Sequence, residues 1–161
     1  ARLFVSTTLS GQPLQGEERE GSSYLGIQVM YKDDAGKPLD VRSLKQGTDF
    51  VAEVTVSHSG VLFPYEELAL TQIFPSGWEI INTRVQDVNP GIKEDLYDYR
   101  DYRDDRVYTF FDLQLYEKKT FRVRLNAAYT GRFYLPSVNA EAMYDDAIYA
   151  FTKGMWVEVV R

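Results

Sequence analysis

Lys118-Lys119-Thr120-Phe121-Arg122-Val123-Arg124-Leu125-Asn126-Ala127 is the stretch whose reading decides the fold. Successive side chains of an extended chain point to opposite faces. Phe121, Val123, Leu125 and Ala127 therefore share one face, and Thr120, Arg122, Arg124 and Asn126 the other. Period two over this length predicts a strand with one face in a core and a wet, basic face outside. Residues 107–113 form a second such strand, joined to the first by a short polar turn. Residues 50–57 form a third, setting Phe50, Ala52, Val54 and Val56 against Val51, Glu53 and Thr55.

The same pattern extends to both ends. Residues 2–9 alternate through Leu3, Val5, Thr7 and Leu9 and read as a half-buried strand closed by Gly11-Gln12-Pro13. Residues 24–32 place Leu25, Ile27, Val29 and Tyr31 on one face, and Asp33 to Pro38 then supplies turn chemistry. Segments 39–44, 68–74, 78–82 and 131–135 read as further strands, with Pro75-Ser76-Gly77 the tightest turn signal. Residues 147–152 and 155–160 read as a closing hairpin about Lys153-Gly154. This makes about ten short strands at the spacing of sandwiches. Helical periodicity is weak throughout, so the fold class is all-β: an antiparallel β-sandwich with at most one short helix, near residues 65–68.

Composition narrows the function. The 161 residues suit one β-sandwich region spanning 1–161, with residues 1–23 read as a strand and linker contributed by a preceding domain. A net charge of -6 provides no basic stripe for nucleic acid. Without Cys there is no thiol nucleophile, disulfide or thiolate metal site. No apolar run reaches membrane-spanning length, so direct membrane insertion is not expected. No cofactor motif is apparent.

Three stretches are candidates for chemistry. His58, between Ser57 and Ser59, is either a solvated loop histidine or the base of a nucleophilic site that lacks any nucleophile elbow. The segment from Asp95 to Asp105 offers Asp98, Asp101, Asp104 and Asp105 to calcium, but Arg100, Arg103 and Arg106 interleave and could pair with them instead. Asn139-Ala140-Glu141-Ala142-Met143-Tyr144-Asp145-Asp146 reads as a surface loop that spends Met143 and Tyr144 ahead of a paired acidic turn. Those two side chains are either tucked into their own core or offered to a partner. The aromatic share of 14% also keeps a carbohydrate-binding or adhesive sandwich as an alternative.

Several motifs in order resemble the last macroglobulin-like (receptor-binding-like) domain of bacterial alpha-2-macroglobulin-like proteins. They are Leu3-Phe4-Val5 with Gly11-Gln12-Pro13; Ser43-Leu44-Lys45-Gln46-Gly47-Thr48; Ile73-Phe74-Pro75-Ser76-Gly77-Trp78-Glu79-Ile80; and Tyr102-Arg103-Asp104-Asp105-Arg106-Val107 with the strand of Phe110 and Phe111. Ala128-Tyr129-Thr130-Gly131-Arg132-Phe133 then leads to Glu141-Ala142-Met143-Tyr144. The resemblance implies a non-enzymatic module of a periplasmic or cell-envelope protease trap, in which bait cleavage exposes an internal thioester. The partners it implies are the thioester domain and neighbouring macroglobulin domains of the same parent, which is lipid-anchored in some cases, and target proteases through the full-length protein. Carried over from the family, Met143 and Tyr144 lie against the thioester and keep water away, with Glu141 and Asp145 bordering them. Where the family follows Met-Tyr with a residue and Pro, this chain has Asp145-Asp146-Ala147.

Overall fold

The computed structural model describes residues 3–8, 10–11, 14–61, 63–81 and 95–161. Thirteen strands follow one another among them: β1 Gly21–Ser23, β2 Leu25–Lys32, β3 Ser43–Lys45, β4 Asp49–His58, β5 Tyr65–Ile73, β6 Trp78–Ile81, β7 Tyr99–Tyr102, β8 Arg106–Leu113, β9 Lys118–Ala127, β10 Gly131–Leu135, β11 Asn139–Ala142, β12 Asp145–Phe151 and β13 Met155–Val160. They form a six-stranded sheet in the order β1-β12-β11-β5-β8-β7, a four-stranded sheet β2-β4-β9-β6 and a three-stranded sheet β10-β13-β3. The all-β sandwich is borne out. No helix occurs among the described residues, and residues 65–68 begin β5 instead of making a helical turn.

The alternation in β4 and β9 does what period two predicts. Phe50, Ala52, Val54, Val56, Phe121, Val123, Leu125 and Ala127 are all buried. One core cluster brings Val54, Val56 and Phe121 of the four-stranded sheet together with Leu68, Leu70 and Phe111 of the six-stranded sheet. The Phe111 and Phe121 ring centroids lie 4.6 Å apart. A second cluster brings Phe50, Ala52, Val123 and Leu125 together with Leu44, Val157 and Val159 of the three-stranded sheet. Each large side chain buried this way contributes about 1.5–3 kcal/mol.

The outer face of the four-stranded sheet is wet, and its basic residues have acidic neighbours. Glu53 accepts from Lys32 Nζ at 2.7 Å and from Arg122 Nε at 2.7 Å. Desolvation raises the Glu53 carboxyl, but the hydrogen bonds from Lys32 and Arg122 outweigh it and hold the group below its ordinary value. Arg124 reaches Asp34 at 3.2 Å and Asp49 at 3.6 Å.

Four expected elements differ. Of residues 39–44, read as a strand, only Ser43 and Leu44 lie in one, at the start of β3. Residues 3–8 carry the alternating pattern but form no strand; Leu3, Phe4 and Val5 are 88%, 90% and 78% exposed, so no sheet edge pairs with them here. The closing hairpin is absent, because β12 pairs with β11 and β1 whereas β13 pairs with β10 and, in parallel, with β3. The chain leaves one sheet at Thr152, whose N–H donates to the Val138 carbonyl at 3.0 Å. It enters the next at Gly154, where a Cβ would collide with the Tyr134 hydroxyl. The acidic segment, finally, contains an edge strand, β7. β7 pairs with β8, and Arg100 turns into the core 2% exposed, its Nε donating to Thr109 Oγ1 at 2.9 Å and its guanidinium 4.2 Å from the Tyr97 ring centroid. Residues 87–94, which lead into that segment, lie outside the described residues.

Candidate functional site

The site is built at the end of the sandwich where β5 begins. The pairing of β5 with β8 shifts register between Tyr65 and Leu68. Within that bulge Glu67 adopts the left-handed conformation, with φ 54°. Its N–H donates to Asp112 Oδ1 at 2.8 Å, and its carbonyl accepts the Met143 N–H at 3.1 Å. β11 lies beside β5 with Ala142 opposite Leu68, and Ala142 also faces Asp145 of β12. Met143 and Tyr144 are therefore the two residues of a tight hairpin turn, held by a ladder on either side and pinned beneath by Glu67.

This places the turn two residues earlier than the sequence suggests. Asp145 and Asp146 look like turn formers, but they open β12, where Asp145 Oδ1 accepts the Ala147 N–H at 3.0 Å. The register slips between Glu141 opposite Tyr149 and Ala142 opposite Asp145, leaving residues 146–148 as extra. Ile148, 2% exposed, drives that bulge into the core and fixes it. Of the eight residues read as a loop, only Met143 and Tyr144 lie outside strands. Both reach solvent, Met143 at 47% exposure and Tyr144 at 84%.

Beside Tyr144 runs an open groove of about 500 Å³, lined among others by Phe63, Tyr65, Glu66, Glu67 and Asp145. Phe63, 60% exposed, comes from the β4–β5 loop, which His58 organises. His58 Nδ1 accepts the Gly60 N–H at 2.8 Å, so Nε2 carries the proton and donates it to the Phe63 carbonyl at 3.0 Å. The imidazole stacks on Tyr65 with centroids 3.7 Å apart, and the Tyr65 hydroxyl donates to the Val61 carbonyl at 2.9 Å. His58 is thus a buried structural residue, 6% exposed, and neither a solvated loop histidine nor a catalytic base. The adjoining β8–β9 turn lays Tyr116, 75% exposed, directly over Gly60.

Glu141 is separated from the others. It projects from the outer face of the six-stranded sheet, opposite Ala69 and Tyr149, whereas Asp145 stands on the groove with Tyr144. The calcium candidates do not converge. Asp101 pairs with Arg103 at 2.7 Å and Asp105 with Arg106 at 2.7 Å. The Arg106 hydrogen bond holds the Asp105 carboxyl below its ordinary value. Asp95 Oδ2 instead accepts the Thr120 N–H at 2.7 Å. Among the described residues no three acidic or histidine side chains are grouped to hold a metal ion. Sequence reading missed Glu67, Asp112 and Phe63 as builders of the tip and singled out His58 only as a solvated residue or a base; for Phe63 the aromatic run Phe63-Pro64-Tyr65 was the available signal.

Residues 25–146 match the family model described as the bacterial alpha-2-macroglobulin MG10 domain. The chain belongs to this family. The MG10 domain is 29% identical over 147 residues to an alpha-2-macroglobulin of Pasteurella multocida, covering 88% of this chain and 7% of that protein. It is 25% identical over 166 residues to an alpha-2-macroglobulin homolog of Yersinia pestis, covering 90% of this chain and 8% of that protein. The chain thus spans less than a tenth of the length of these curated relatives. Its fold superposes on native alpha-2-macroglobulin from Escherichia coli, spanning domain MG7 to the C-terminus, with a TM-score of 0.79, 17% identity and coverage of 91% and 25% of the two chains. On Salmonella alpha-2-macroglobulin reacted with methylamine the TM-score is 0.77, with 19% identity and coverage of 89% and 10%. The resemblance seen in the motifs is borne out at the level of the family and the sandwich.

Proposed function

We propose that this MG10 domain is a non-enzymatic docking module of a bacterial alpha-2-macroglobulin of the periplasm or cell envelope. Its Met143–Tyr144 tip lies on the thioester domain of the same parent chain and keeps water from the thioester until bait cleavage. The observation that carries this reading is the tip itself. It has two apolar side chains, one 84% exposed, on a backbone fixed by two ladders and a hydrogen bond from below.

A large apolar side chain held rigidly in water gains nothing for its own domain and gains burial energy only when a neighbour covers it. An activated ester survives where water is excluded, and a polarisable thioether beside an aromatic ring makes a dry, adaptable cover. The thioester itself cannot be in this chain, which has no Cys. Structures of relatives described as reacted with methylamine and as trypsin-activated are consistent with a parent of this kind.

The test uses the full-length parent. Tyr144→Gly and Met143→Ala are each expected to speed inactivation by methylamine about tenfold or more, the scale of one lost apolar anchor. Both changes should leave the melting of this domain unchanged. Inactivation rates that stay at the native value would sink the reading.

A further inference from the structure

We infer that the groove between Phe63 and Tyr144 receives a cationic side chain, Arg or Lys, projecting from the neighbouring domain on which the tip docks. This rests on the docking reading above and adds the chemistry of the partner surface. The groove has two aromatic walls: Phe63, 60% exposed, and Tyr144, 84% exposed. Glu66, Glu67 and Asp145 stand around it.

Six acids of the domain are already paired with cations, and the three groove carboxylates are among those that are not. Glu53 pairs with Lys32 and Arg122, Asp40 with Arg42, Asp101 with Arg103, Asp105 with Arg106, and Asp34 and Asp49 with Arg124. No ion pair among the described residues reaches Glu66, Glu67 or Asp145. The chain as a whole carries a net charge of -6, which adds to their field at long range.

Aromatic walls with acids around them are complementary to a side chain whose methylene stem is apolar and whose head is positive. Arg fits best, because its flat guanidinium stacks on a ring while donating to carboxylates on either side. A neutral apolar group would strand three carboxylates as the partner excluded water, and an anion would be repelled. The docking reading puts the cation on the same polypeptide, of which there is room for much more, since this chain is only 7% to 8% of the length of its curated relatives. A tethered partner is present at high effective concentration, so one cation in one groove is enough to orient a contact of modest area. The groove is also ready-made. The Phe63 carbonyl is fixed by His58, and Glu67 is fixed by Asp112.

The experiment compares two variants of the full-length parent: Glu66→Gln, Glu67→Gln and Asp145→Asn combined, and Tyr144→Gly alone. Methylamine inactivation and amide exchange at residues 63–67 and 143–145 are followed in low and high sodium chloride. The amides in the triple variant keep their hydrogen-bonding oxygens and remove only charge. Expected in the triple variant are inactivation about tenfold faster and faster exchange at the groove, together with loss of the salt dependence shown by the native protein. If Tyr144→Gly speeds inactivation while the triple variant behaves as native at both salt concentrations, the cationic partner is refuted and the docking reading stands. If neither variant changes inactivation or exchange, the docking reading falls and takes this inference with it.

Discussion

Two groups of carboxylates on this domain sit in opposite circumstances. On the face of the four-stranded sheet, Glu53 is buried to 7% exposure and clasped by Lys32 and Arg122, each at 2.7 Å. At the end of the sandwich, Glu66 and Glu67 are exposed and, with Asp145, form no ion pair among the described residues. The first arrangement offsets its desolvation internally and belongs to the stability of the fold. The second leaves its charge and two aromatic rings open to solvent, where they add nothing to folding. On the docking reading proposed above, the difference separates residues that serve the fold from residues that serve a contact.

The largest effect is expected from Glu53→Ala. The change leaves Lys32 and Arg122 half-buried without their acid and costs about 2–3 kcal/mol, read as a lower urea midpoint at unchanged slope. A midpoint equal to the native one would show that the clasp is ornamental and erase the contrast with the tip.

A smaller effect is expected with acid. The Glu53 carboxyl is held below the ordinary 4.5 in the folded state. The unfolded chain therefore binds the proton first, and the stability from this group is complete above that value and lost as pH falls through the folded value. Urea midpoints measured from neutral pH down to about pH 3 should fall more steeply in the native protein than in Glu53→Gln. Parallel curves would place the acid sensitivity elsewhere. The smallest effect belongs to the tip, where Glu66→Gln, Glu67→Gln and Asp145→Asn together are expected to shift stability by less than about 0.5 kcal/mol. A large loss on melting would make those carboxylates structural after all.

The fold was legible wherever one face of a strand meets the core. β4 and β9 follow their alternation residue for residue, because burial on a single side is what period two encodes. Pairing partners were less legible. Residues 147–152 and 155–160 alternate well enough for a hairpin, yet they serve different sheets, and nothing local to Lys153-Gly154 records the crossover. Residues 3–8 show the limit from the other side, since the pattern is present and no partner strand accompanies it.

At the candidate site, Met143 and Tyr144 drew attention through the motif around them. The turn was misplaced onto Asp145 and Asp146 because Asp favours turns, whereas the register was set by Ile148 seeking the core. Glu67 in a left-handed conformation is invisible in sequence, for Glu seldom adopts it and Asp112, its partner, lies 45 residues away.

The hydrogen bond from Met143 to the Glu67 carbonyl also limits how a docked tip can let go. Anchored to β5 of its own sheet, the hairpin end has no slack with which to curl back alone. On the docking reading, lifting it from a neighbour would move the module as one body. Such a movement would show as altered overall dimensions in solution scattering, with the internal geometry of the sandwich carried along intact.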